Sequence, residues 1–140
     1  MLERVLAPAR EPAYAAMRVV LGLLWSFHGV QKIFGVLTDH QPETLSQVWI
    51  GGVIELVAGL LIAVGLFTRW AAFIASGTMA VAYIQFHWKL DFGDGFFPAV
   101  NKGELAVVYC FVFLVVAAFG PGRFSLDAAL RGQKARVAAS

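Results

Sequence analysis

The sequence predicts an all-α integral membrane protein, a four-helix bundle with both termini in the cytoplasm. Three observations point there. Of the 140 residues, 59% are hydrophobic and 14% charged, where soluble domains have about 45–50% and about 25%. The apolar residues fall into four runs, at 13–34, 48–67, 70–88 and 103–120, each close to the roughly 20 residues that cross a bilayer. The runs are apolar almost all round, whereas a helix of a water-soluble bundle keeps a polar stripe of period 3.6. The mean hydropathy of +0.73 agrees, and the length leaves little room for anything beyond one membrane domain over 1–140.

The N-terminal segment carries Glu3, Glu11 and prolines at positions 8 and 12. It lacks the short apolar core and cleavage site of a signal peptide, and is expected to lie at the interface before the first span. The connections at 35–47 and 89–102 are long and polar, and that between the second and third runs is tight, around Thr68 and Arg69. Basic residues gather at Arg4, Arg10 and Arg18, at Arg69, and at Arg123, Arg131, Lys134 and Arg136. The positive-inside rule puts these on the cytoplasmic side and the two long loops outside. In the 121–140 tail a short amphipathic helix is expected to start at Ser125, with Asp127 in its first turn. The last residues, QKARVAAS, are expected to be disordered. The single cysteine, Cys110, sits in an apolar run. It excludes an intramolecular disulfide and a CxxC redox pair, and reads as a small buried hydrophobe. No basic stripe suits nucleic acid.

The second run is the one the rest is organised around, because it holds an acid. Glu55 lies about seven residues in, roughly 10 Å below the membrane surface. Gly51, Glu55, Gly59 and Ala63 recur every four residues and predict a face for close helix approach. An ionisable group at that depth costs at least about 2.5 kcal/mol and calls for a partner. His28 lies at a matching depth in the first run, with Trp25 and Lys32 on its face. Tyr83 and His87 end the third run and Glu104 begins the fourth. Together these predict an outward-facing polar pocket, with His28 and Glu55 as the candidate catalytic pair and Lys32, Tyr83, His87 and Glu104 as further ligand-binding groups. Arg18, Arg69, Arg123 and Asp127 are expected to be structural.

Several chemistries were open to such a pocket. A quinone needs an apolar slot, donors for its carbonyls and a proton route, which His28, Lys32, Tyr83 and Glu55 can supply. A metal is disfavoured because no tight ligand motif such as HExxH is present, and a haem because His28 and His87 differ in depth. No hydrolase or phosphate-binding motif appears. No span is broken by proline in mid-membrane, which argues against a transporter. The plainer alternative is that the same polar groups only fasten helices together.

Four segments carry a family resemblance. The first run ends FHGVQKIFG; the second continues GGVIELVAGLLIAVGLFTRWAAF; the fourth opens NKGELAVVYCFVFL; and the chain then reads GPGRFSLD. In this order, over about 18–127, they resemble the DoxX family of small bacterial membrane proteins. Lys102 stands where the family commonly has a glycine. The resemblance implies four helices in the inner membrane and a loose link to redox metabolism, through association with quinol oxidases, thiosulfate oxidation to quinone, and oxidant or thiol stress. Two functions are therefore expected. One is a quinone- or oxidant-linked redox subunit, drawing electrons from a partner. The other is a non-catalytic accessory or scaffold subunit of a membrane oxidoreductase complex. Partner subunits, a homo-oligomer and the lipid bilayer are the expected associations.

Overall fold

The structure is a computed structural model that describes residues 2–138. Every regular element among these residues is helical. A short helix, Leu2–Leu6, and a 3-10 turn, Ala7–Ala9, lead into α1, Arg10–Phe34. Then follow α2, Gln47–Val64, and α3, Thr68–Ala82, which continues as a π-helical turn, Tyr83–Trp88. The last long helices are α4, Glu104–Phe119, and α5, Leu126–Ala138.

Ends of elements fall where local chemistry dictates. Gly35, with φ of 66°, stops α1, and Gly65, with φ of 74°, stops α2. Both take the left-handed conformation that glycine adopts without steric cost. Ser46 caps α2 by accepting a hydrogen bond from the Trp49 N–H at 3.2 Å. The tight turn is at 65–67, slightly earlier than expected, and Thr68 already begins α3. The tail helix also departs from expectation. Ser125 caps it, accepting from the Ala128 N–H at 3.2 Å, but the helix runs on to Ala138, through most of the stretch expected to be disordered. Ala and Arg are strong helix formers, and this propensity carries the helix onward. Positions 139 and 140 lie outside the described residues.

The helices pack as antiparallel pairs. Between α1 and α2 the contact is backbone to backbone. A Cβ on Gly22 would come within 2.7 Å of Gly59 O, and one on Gly59 within 2.7 Å of Gly22 O. The expected α2 stripe is corrected here. Gly51 does not face α1: a Cβ there would meet nothing within 4 Å, whereas one on Gly52 would press on Lys32 at 2.7 Å. A four-residue step overshoots one helical turn by about 40°, so a strict every-fourth row drifts off the contact face. The buried residues of α2 are Gly52, Glu55, Ala58, Gly59, Ile62 and Ala63. In the second pair, α3 buries Ala71, Ala72, Ala75 and Ser76, and the Ser76 hydroxyl lies 3.6 Å from the Cys110 sulfur of α4. Trp25 and Phe113, with ring centroids 4.9 Å apart, join α1 to α4 across the core.

The outer surface is apolar. Leu23 and Leu24 of α1, Val57 and Leu60 of α2, Phe73 and Ile74 of α3, and Phe111 and Leu114 of α4 are all exposed. The continuous helix Leu2–Phe34 and α2 are long and apolar enough to cross a bilayer, and only 28% and 33% of their apolar windows are buried. A core helix of a soluble protein would be mostly covered. So much exposed aliphatic and aromatic surface suits lipid as the solvent, not water.

At the end bearing the tail, charged side chains tie the helix termini together. Arg18 is 1% exposed. Its guanidinium donates to the Ile62 carbonyl, to Ala63 O at 2.9 Å and to Phe124 O at 2.7 Å. Arg69 donates to Ala117 O at 2.8 Å and Ala118 O at 2.6 Å, closing the C-terminus of α4. Each cation thus meets carbonyls that a helix end leaves without partners. Arg123 contributes through its backbone N–H, which donates to Glu11 at 3.0 Å.

Asp127 does the converse for α3. Its carboxylate accepts from the Phe67 and Thr68 N–H groups, each at 3.0 Å, and from the Thr68 hydroxyl at 2.9 Å. Phe67 offers no capping side chain of its own, so the tail supplies one from 59 residues away. Burial pushes the Asp127 carboxyl up, but the hydrogen bonds from Thr68 and Phe67 outweigh it and hold the group below the usual carboxylate range. A pKa depressed by folding stabilises the protein above the unfolded value of about 3.9 and loses that stabilisation as pH falls through the folded value. Melting temperature in detergent is therefore expected to fall on acidification below about pH 4. In Asp127→Asn it is expected to start lower at neutral pH and fall less. Parallel curves for the two proteins would remove this role.

Candidate functional site

At the opposite end, below the two long loops, the helix pairs enclose a cavity of about 620 Å³. That is the size of a pocket for a small organic molecule. Its walls are mainly apolar, with Ile54, Met79, Ala82, Leu105 and Ala106 among them. Its polar groups arrive from each side: Trp25, His28 and Lys32 from α1, Glu55 from α2, His87 from the π-helical turn, and Tyr109 from α4.

Glu55 is the most buried charged group of the cavity, 3% exposed. Its Oε1 accepts from Lys32 Nζ at 2.6 Å. The partner expected for Glu55 was His28, and the structure gives Lys32 instead. Gly52 makes this possible, because the lysine stem lies over the α2 backbone where any side chain would stand. The long stem lets an ammonium rooted near the helix end reach down to the acid, which a rigid imidazole ring cannot do. His28 lines the cavity without a hydrogen bond to any described residue.

Two buried polar atoms at this cavity have no partner among the described residues. They are Glu55 Oε2 and the indole Nε1 of Trp25, a residue 1% exposed. A buried acceptor or donor left unmade costs about 1–3 kcal/mol, more when charged. Both atoms belong to residues that line the cavity, one an acceptor and the other a donor. No group of three or more His, Cys, Asp or Glu side chains among the described residues is arranged to hold a metal ion.

A second cleft of about 300 Å³ lies above, under the 35–46 loop, and shares His28, Lys32 and Val48 with the cavity. Thr38 and His40 line its far side. His28 and Lys32 thus stand between an interior apolar chamber and an outer recess among the loops.

Comparison with known proteins bears on what this arrangement belongs to. The DoxX family model matches residues 13–88. This chain belongs to the DoxX family. A Haemophilus influenzae protein described as uncharacterized is 38% identical over 123 residues, covering 81% of this chain and 87% of its own length. No solved structure matches. The matched region of this DoxX membrane protein carries Trp25, His28, Lys32, Glu55 and His87, while Tyr109 comes from beyond it.

The cavity of the DoxX chain gathers most, not all, of the residues the sequence put there. Tyr83 is outside it. Its hydroxyl donates to Phe96 O at 3.1 Å and accepts from Asn101 at 3.2 Å, pinning the 89–103 loop. Glu104 is exposed in the first turn of α4, where a carboxylate favours the helix dipole. The π-helical turn explains His87: bonding i to i+5 shifts the phase of everything beyond Ala82. His87 faces the cavity, with Nδ1 3.2 Å from Asn101 O. Trp25, Tyr109 and Lys102 line the cavity and are additions to the expected set. Trp25 shares its helix face with His28 and Lys32, a spacing already visible in the sequence.

Proposed function

We propose that this DoxX protein is a multi-pass protein of the bacterial inner membrane, one four-helix domain with both termini cytoplasmic, and that its cavity binds a quinone or similar redox-active ring as part of an electron-transfer complex. The observation that carries this reading is the cavity itself, apolar in its walls and polar at one place. An aromatic ring fits such walls; Trp25, Lys32 and His28 offer hydrogen bonds to oxygens on its edge, and Glu55 accepts one from a ring hydroxyl. His28 and Lys32, shared with the outer cleft, are suited to move protons between the ring and water on the outer side. Electrons come from a partner subunit.

The distribution of arginines supports the orientation. Arg18, Arg69 and Arg123 gather at the tail end, and the cavity lies at the other. A second reading, an accessory subunit with no ligand, draws on the Lys32–Glu55 pair, which fastens α1 to α2 whatever fills the cavity.

Titration of the purified protein in nanodiscs with a tailed quinone and its hydroquinone separates the two. Ligand function predicts saturable binding of one molecule per chain. It also predicts binding about five- to tenfold weaker in Glu55→Gln, which trades a charge-assisted hydrogen bond for a neutral one, and weaker binding in His28→Ala, with both variants folded. A wild-type protein that binds neither form leaves the accessory role.

A further inference from the structure

Gly51 and Gly77 are the unexplained glycines of the membrane region. Gly22, Gly29, Gly52 and Gly59 all lie against a neighbouring helix, and a Cβ on any of them would collide with it. At Gly51 and Gly77 a Cβ would meet nothing within 4 Å. Neither has the positive φ that favours glycine, and glycine weakens a helix interior. Packing and backbone geometry therefore give no reason for them.

Both line the cavity, Gly51 from α2 and Gly77 from α3. These two helices are held at the loop end by a hydrogen bond from Gln47 Nε2 to Gln85 Oε1, at 2.6 Å. Gly51 lies about one turn below that bridge and Gly77 about two. Around them Ile50, Val81 and Phe86 both line the cavity and are about half exposed, at 48%, 47% and 49%. The chamber thus continues, between two glycines and under a polar bar, onto the apolar outer surface of the helices.

The polar atoms left over inside define the headgroup. Glu55 Oε1 is taken by Lys32, and Glu55 Oε2 has no partner among the described residues. It needs a donor. An oxidised quinone has only acceptors, whereas a hydroxyl gives one hydrogen and keeps lone pairs, which the Trp25 indole N–H can use.

We propose that the cavity is loaded sideways from the bilayer through the opening between α2 and α3 that Gly51 and Gly77 keep clear, and that its occupant is a hydroquinone-type amphiphile, its hydroxyl donating to Glu55 and its tail leaving through that opening. This rests on the cavity being a quinone-class site. The opening and the preference for the reduced form go beyond that.

The test uses the full chain in nanodiscs and four probes: a hydroquinone with a ten-carbon tail, the same ring without the tail, and the oxidised form of each. The variants are Gly77→Leu and Gly51→Leu, for which the backbone is permissive and a Cβ has room; melting temperatures at or above wild type establish that they fold. In wild type the tailed hydroquinone is expected to bind at least tenfold more tightly than the tailed quinone. Either leucine is expected to weaken the tailed hydroquinone at least tenfold and leave the tailless one within twofold. Equal affinity for the two oxidation states overturns the headgroup assignment. Unchanged binding of the tailed ring in both leucine variants overturns the opening, and so does equal loss of tailed and tailless rings, which means leucine merely fills the chamber. In these three cases the quinone reading stands. Only a wild-type protein that binds none of the four probes removes both.

Discussion

Arg18→Met is expected to destabilise the protein by about 3–5 kcal/mol, one of the two largest effects of any single substitution proposed. The guanidinium is fully buried and donates to carbonyls of Ile62, Ala63 and Phe124. Hydrogen bonds to a charged group contribute about 1.5–3 kcal/mol each, and losing several from one side chain is less than additive. Methionine fills similar volume but leaves the end of α2 and the approach to the tail helix without donors. Arg18→Lys is expected to recover little, because a single ammonium cannot reach both sets of carbonyls as a planar fork does. Thermal melts of the three proteins in one detergent check this. A lysine variant as stable as wild type would show that charge alone suffices there.

Lys32→Met is expected to be the other large effect, and it differs in kind. Removing one member of a buried ion pair costs about 3–5 kcal/mol, because the other charge stays behind in an apolar setting. Lys32 keeps 32% of its side chain exposed while Glu55 keeps 4%. The loss should therefore fall below that range, and removing the lysine should be worse than neutralising the acid. Glu55→Gln alone is expected to be mild, since an amide oxygen can still accept from the ammonium. The double variant, Lys32→Met with Glu55→Gln, should recover most of the stability lost in Lys32→Met. A double-mutant cycle on melting free energies measures the coupling. If Lys32→Met is as stable as wild type, the pair is not what supports Glu55 in the membrane.

The two substitutions also separate structure from ligand binding. Arg18 stands at the tail end, about ten residues from His28 along α1, or roughly 15 Å. Its loss should lower stability without selecting between probes. Glu55→Gln should do the reverse.

Much of this was legible in the sequence, and the limits have identifiable causes. Long apolar runs report helices directly, so the long helices, their order and the placement of the long loops could be read from composition and periodicity. A lone acid in an apolar run announces a site because no lipid-facing position tolerates it, and Glu55 is indeed buried. The identity of its partner was not legible. Depth counting pairs His28 with Glu55, but it ignores side-chain length, and Lys32 reaches from a full turn further out. Tyr83 and His87 fall on one helical face only while the helix is α; the π-helical turn at Tyr83–Trp88 leaves no signal in residue spacing. Gly51 and Gly52 are adjacent and chemically identical. Only the fold distinguishes the one that admits Lys32 from the one that opens onto the cavity. Asp127 was placed correctly in the first turn of the tail helix, yet its role at Phe67 and Thr68 depends on a long-range approach that spacing does not encode.

The most direct measurement is native mass spectrometry with an absorbance spectrum of the protein extracted in mild detergent. A cavity that holds a quinone-class ring predicts one co-purified amphiphile per chain, with an ultraviolet band that changes on chemical reduction or oxidation and is diminished in Glu55→Gln at unchanged melting temperature. A spectrally silent chain that carries only bulk phospholipid, and is unaltered by Glu55→Gln, would contradict a ligand role and leave Lys32 and Glu55 as a fastening between α1 and α2.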